Sequence, residues 1–201
     1  MIQTPKKRGR PRAFDPAVVL ERATETFLRF GYSGASLDAL TTSMGLNKPS
    51  LYAAFGDKRA LFVRVLEDRA NQVAKRIQAA FARGDSLEGS LQEAFLEAVE
   101  IYTADDAPPG CLIVSASSTE AVVDEGLAQF SREFFARCDH VVAKWFTERV
   151  PVGGDVSALS LSRLFNGVIH DLALRARVGE SRARLRDHAR GAARALAKAA
   201  G

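Results

Sequence analysis

Apolar residues recur at three- and four-residue intervals along almost the whole chain, and nowhere do they alternate as a half-buried strand requires. The pattern predicts an all-α protein. Asp15 followed by Pro16 reads as an N-cap with proline in the first turn; Val18, Val19, Ala23, Phe27 and Phe30 then mark one apolar face that stops at Gly31. Ser36 caps a short second segment, Leu37 to Met44, closed by Gly45. Leu46 and Asn47 turn the chain into a third, Lys48 to Phe55, with Pro49 tolerated in its first turn. From Asp57 a fourth helix of roughly 25 residues, amphipathic by its spacing, passes through Leu61, Phe62, Val65, Leu66, Val73, Ile77 and Phe81 and ends near Gly84. It is long enough to bridge two domains.

Downstream, Leu91, Phe95, Val99 and Tyr102 mark another helix, Asp105 to Gly110 a loop, and Cys111 to Thr119 a short segment rich in small residues. Leu127, Phe130, Phe134, Cys138, Val141, Val142, Trp145 and Phe146 fill a long helix from Asp124 to Val150, which Pro151-Val152-Gly153-Gly154 ends. Leu159 to Ala176 and Ser181 to Ala199 supply two final helices separated by Gly179. The chain thus divides into a basic arm (1–14), a three-helix unit (15–56) and a larger helical unit (57–201).

Composition narrows the class. With 201 residues, 47% hydrophobic and 26% charged, the chain is neither disordered nor collagen-like. No run reaches the length of a membrane span, and the cations of Met1 to Arg12 precede no apolar signal segment, so a cytoplasmic location is expected. Cys111 and Cys138 are too few for a disulfide scaffold or a zinc cluster, and neither a metal nor a cofactor is expected. Charge is uneven: residues 1–66 hold 11 Lys+Arg against 5 Asp+Glu, a net +6, whereas residues 67–201 are net −2. A basic end on a near-neutral partner is what phosphate binding produces, though basic tails also occur on proteins that bind nothing.

The informative stretch is Ser36 to Phe55. Two short helices flank a turn built on Gly45, and Leu40, Met44, Leu46 and Leu51 are spaced to lock them together. This is helix-turn-helix spacing, in which the second helix projects toward a major groove. The surrounding string sharpens it: Gly31-Tyr32, Ala35-Ser36-Leu37, Met44-Gly45-Leu46-Asn47-Lys48-Pro49, then Ser50-Leu51-Tyr52-x-x-Phe55-x-x-Lys58-x-x-Leu61. Residues 13–63 resemble the TetR/AcrR family of transcriptional regulators; the rest matches only in pattern, and Leu40-Thr41 stands where that family often has an aliphatic residue followed by alanine.

The resemblance implies that Lys48 and Ser50 reach base edges and that Tyr52 and Lys58 meet the phosphate backbone. The chemistry agrees, since ammonium groups donate to guanine acceptors, hydroxyls satisfy phosphate oxygens, and the helix start at Ser36 presents free amides. Thr41 and Thr42 are weaker candidates. Tyr52 also fits as core, where Leu51 and Phe55 belong. Upstream, Arg8-Gly9-Arg10-Pro11-Arg12 is similar to an AT-hook, an extended segment that enters the minor groove; it also reads as a nonspecific basic tail.

One short helix contacts too few bases to select a genomic site, so a homodimer on a palindromic double-stranded operator is expected. The resemblance places its interface on the last two helices and a small-molecule effector site among the middle ones. Phe95, Tyr102, Phe134, Trp145 and Phe146 are candidates to line that site, with Tyr102 or His140 as polar anchors for an apolar or aromatic effector; the same aromatic residues also read as plain core. Cys111 is either a thiol sensor or, with no basic neighbour in sequence, an inert buried thiol. The expected activity is that of a ligand-released repressor and not an enzyme, since no nucleophile elbow, phosphate-cradling glycine loop or His-Glu-x-x-His motif is present. A helical carrier and a nonspecific architectural protein are the alternatives.

Overall fold

Capping side chains set most helix starts. In the computed structural model, which describes residues 14–105, 108–150 and 156–201, there are nine helices among the described residues: α1 (Pro16–Gly34), α2 (Leu37–Met44), α3 (Lys48–Phe55), α4 (Lys58–Phe81), α5 (Leu87–Tyr102), α6 (Leu112–Thr119), α7 (Glu125–Thr147), α8 (Ala158–Arg177) and α9 (Arg182–Ala199). Asp15, Ser36, Asn47, Asp57, Ser86, Asp124, Ser157 and Ser181 each accept a backbone N–H from the first turn of the helix that follows. Only α6 lacks such a cap; it starts after Cys111. The Arg8, Arg10 and Arg12 arm lies outside the described residues.

Two hydrophobic cores share α4. The N-terminal core gathers Val19, Leu20, Ala23, Phe27 and Leu28 of α1, Leu40 and Met44 of α2, Leu51 and Phe55 of α3, and Leu61, Phe62, Val65 and Leu66 of α4. Its centre is aromatic, with the Phe27 and Phe62 rings edge to face at 4.7 Å and Tyr32 4.8 Å from Phe62. Leu112, Ile113 and Ala116 of α6 and Leu127 of α7 also belong to it. The core thus runs past residue 57 into α4. Two eight-residue helices and α1 cannot enclose a core alone, so the first turns of α4 complete the head and α6 closes its lower side.

The second core forms the body. α5 is buried along most of its length by α4, α8 and α9, through Leu91, Ala94, Phe95, Ala98, Val99 and Ile101. The far end of α4 is also tied to α5 by Arg76 with Glu97 at 2.7 Å and by Arg83 with Glu93 and Glu97 at 3.1 and 2.9 Å. Burial pushes the Glu97 carboxyl up, but the hydrogen bonds from Arg76 and Arg83 more than reverse this and hold it below the usual carboxylate range. The arginines of these pairs are about half exposed, and each pair contributes at most about 1 kcal/mol. Val18, Phe30, Val141 and Leu164, which helical spacing assigns to apolar faces, are exposed instead, at the edges of stripes narrower than the spacing implies. Among the described residues, no helix is long and apolar enough to cross a membrane.

Candidate nucleic-acid interface

The geometry of α2 and α3 follows from three local devices. The Ser36 hydroxyl oxygen accepts from the Ala39 N–H at 3.1 Å and starts α2. Gly45 ends it in the left-handed region (φ 66°, ψ 31°), where its N–H reaches the carbonyls of Thr41 and Thr42; a side chain there costs about 1 kcal/mol. Two residues later the Asn47 carboxamide oxygen accepts from the Ser50 N–H at 2.8 Å and starts α3. Leu40, Met44, Leu51 and Phe55 face inward, so most of the polar positions of both helices are carried on the outside. A second tie, from the Thr26 hydroxyl to Ser43 at 2.8 Å, fixes α2 against α1.

The outward face unites most of the sequence candidates. Ser36, Thr42 and Lys48 are exposed, Ser50 is partly exposed, and Tyr52 is 47% exposed, well outside the head core. Lys48 does not stand free: its ammonium lies 2.8 Å from the Asp38 carboxylate across the α2–α3 turn. The hydrogen bond to Asp38 raises its pKa and keeps it charged. Asp38 was not legible as a partner from spacing alone, because the turn geometry brings positions ten apart together.

Thr41 and Lys58 are placed differently. Thr41 is 8% exposed, and its hydroxyl donates to the Leu37 and Asp38 carbonyls at 2.9 and 3.1 Å, so it serves the packing of α2. The Lys58 ammonium lies 4.6 Å from the centre of the Tyr32 ring. Burial lowers its pKa while the Glu120 carboxylate opposes the change. Beside it, Asp57 caps α4 by accepting from the Ala60 N–H at 2.8 Å.

The effector candidates do not line one common space. Phe95, Trp145 and Phe146 join Phe81 and Phe165 in a packed aromatic cluster, with Phe81 4.4 Å from Trp145 and Phe95 stacked 4.8 Å from Phe165. Phe134 stacks on Phe130 beside the head core, and His140 is exposed on α7. Tyr102 is buried beside Cys111; burial raises the phenol well above its usual pKa and also raises the Cys111 thiol. Burial pushes the Cys138 thiol up to about 11. Both cysteines are free and held in the protonated, weakly nucleophilic form. Among the described residues, no three His, Cys, Asp or Glu side chains are grouped to hold a metal ion.

A capped helix pair with an outward polar face, presented by a larger helical body, defines a helix-turn-helix DNA-binding protein, and comparison with known proteins agrees. The family model described as "Bacterial regulatory proteins, tetR family" matches residues 19–65. The chain is 29% identical over 182 residues to the HTH-type transcriptional repressor ComR of Escherichia coli (strain K12), covering 88% of this chain and 86% of that protein. It is 28% identical over 174 residues to the repressor BdcR of the same strain, covering 86% and 84%. A cysteine-substituted form of the TetR-family regulator CifR, solved with a 26-bp double-strand operator, superposes with a TM-score of 0.83 at 31% identity, covering 92% of this chain and 99% of that one. The chain belongs to the TetR family. It is a DNA-binding transcriptional regulator and not an enzyme.

Proposed function

We propose that the chain is a homodimeric repressor, that its two heads occupy successive major grooves of a palindromic operator, and that a small apolar or aromatic effector releases it. The observation that carries this reading is the capped α2–α3 pair, with Ser36, Thr42, Lys48, Ser50 and Tyr52 on one outward surface. Lys48, steered by Asp38, reads base edges. Ser36, Tyr52 and Lys58 meet phosphates, Lys58 by swinging off the Tyr32 ring. Arg8, Arg10 and Arg12 follow the adjacent minor groove. Relatives of similar length that are named repressors support the direction of control.

Dimerisation through α8 and α9 is supported by what those helices leave uncovered. Leu164 and Leu174 are 53% and 48% exposed, with Gly167 between them on the same face. Gly167 and Gly191 have nothing within 4 Å of the position a Cβ would take, which leaves room for close helix approach. The aromatic cluster around Phe95, Trp145 and Phe146 supports an effector of apolar or aromatic character, which would enter by parting those rings.

A mobility-shift assay on the DNA flanking the chain's own gene tests this. Lys48→Ala is expected to cost about 1–3 kcal/mol and relax base preference at one position, and Tyr52→Ala to weaken binding evenly across sequences. Unchanged binding by both variants would reject the assignment of α3. Leu164→Glu is expected to convert a sedimenting dimer to a monomer with much weaker operator binding.

A further inference from the structure

Helix α1 is broken inside its length. Gly31 takes φ 71° and ψ 176°, a conformation essentially restricted to glycine, which interrupts the helical backbone there. The carbonyl of Leu28, three residues before the break, is met from the far end of the chain. Arg177, the last residue of α8, donates from Nη1 to the Leu28 carbonyl at 2.6 Å and to the Pro109 carbonyl at 3.3 Å. On the other side of the break, Ser33 donates through its hydroxyl and its N–H to Glu120 at 2.9 and 3.4 Å, and Glu120 is 8% exposed. The body therefore holds the head by polar contacts on both sides of Gly31. Between them Leu28, Tyr32, Phe62, Glu120 and Arg177 border a small, partly open space of about 30 Å³, enough for one water.

The Arg177 contact also reaches back into the body. A Cβ on Gly110 would fall 3.1 Å from both the Arg177 Cβ and the Ala173 carbonyl oxygen, so the loop backbone lies directly against the arginine stem. The Gly110 N–H donates to the Tyr102 carbonyl at 3.0 Å, and Cys111 follows at the start of α6. We propose that Arg177 is a positioning residue for operator binding: it sets the angle of the head at the Gly31 break, and any displacement of the Pro109–Cys111 segment is passed to the recognition helix through it. It acts without touching DNA. This inference rests on the dimeric-operator reading and assigns the regulation of that same site to a residue outside the head.

The test uses the full chain and duplexes that the wild type selects from a random-sequence pool. Arg177→Met keeps the apolar stem and removes the donor. It is expected to weaken binding about tenfold, the scale of a lost charge-assisted hydrogen bond, with the slope of affinity against salt and the base preference within each half-site unchanged. Its distinctive effect is on spacing: inserting one or two base pairs between half-sites, which penalises the wild type heavily, penalises the variant less. Arg177→Lys retains a donor that reaches one carbonyl and is expected to fall between the two; it carries the test should the methionine variant not fold. A purely structural role lowers the melting temperature and leaves the spacing preference as in wild type, which would overturn the proposal. A changed salt slope would overturn it too, because it would mark a direct phosphate contact. If the wild type selects no sequence from the pool, the regulator reading itself falls; if it does and both variants match it, only the role of Arg177 falls.

Discussion

The head and the body use similar side chains in opposite ways. In α2 and α3 the apolar residues form a thin inner layer and most of the polar ones are carried outward on a frame of caps, a turn and contacts with α1. In the body the large aromatic residues are turned inward and packed on one another, while the surface is a lattice of arginine–carboxylate pairs. The head is a small scaffold for an exposed site; the body is a core whose interior is the candidate site. A substitution in either region should therefore be read by different means, by operator binding in the first and by stability in the second.

Core truncation is expected to give the largest effects and to test whether the two cores are equally tight. Phe62→Ala in the head and Phe165→Ala in the body each remove a fully buried ring, and each should cost about 3–5 kcal/mol of unfolding free energy in urea titrations. A loss under about 1 kcal/mol for Phe165 would show that the aromatic cluster already yields to solvent, and would favour a cavity there.

The Gly31 break is next in size. Gly31→Ala places a Cβ in a backbone conformation that costs about 1–3 kcal/mol, although nothing lies within 4 Å of that Cβ. The expected outcome is a lower melting temperature together with weakened operator binding, because the strain falls on the contact between head and body. A variant with wild-type stability would mean that α1 straightens without penalty. Asn47→Ala follows, at about 1 kcal/mol for the lost cap. Its effect on operator affinity should exceed that of Ser86→Ala, an equivalent cap removed from α5 in the body.

The same contrast decides what could be read from sequence. Eight of the nine helices among the described residues were legible from periodicity and caps, whereas α6, which has no capping side chain, read only as a short segment rich in small residues. The outward face of α3 was legible because Lys48, Ser50 and Tyr52 occupy a string whose spacing is specific. What stayed hidden depends on contacts between distant positions. Asp38 beside Lys48, Arg177 on Leu28 and Glu120 on Ser33 link residues up to 149 apart, and no local pattern encodes them. Thr41 reads as a weaker candidate for DNA contact, yet it is buried and its hydroxyl bonds carbonyls of its own helix. Phe95, Trp145 and Phe146 share the spacing of a cavity wall and of a core, and only packing separates the two. The boundary at residue 57 follows the glycine that ends α3, whereas the core follows the apolar face of α4 on to Leu66.

The smallest predicted effect separates the two regions by pH. All three histidines, His140, His170 and His188, lie in the body and none in the head. His170 sits 5.1 Å from the Phe135 ring in the α7–α8 contact, and burial lowers its pKa while the Asp139 carboxylate opposes the change. A base whose folded-state pKa is depressed refuses a proton that the unfolded chain accepts, so its contribution is present above the ordinary histidine value of about 6.5 and is lost as the pH falls through the folded value. Lowering the pH from about 7.5 to about 5.5, a window above the ordinary carboxylate range, should therefore reduce the urea midpoint of the wild type and reduce that of His170→Gln less. Because the titrating group is in the body, operator affinity in the same window should follow only as far as the body controls the head. Equal pH slopes for the two proteins would remove His170 from the account, and a drop in affinity in His170→Gln as large as in wild type would place the sensitivity elsewhere.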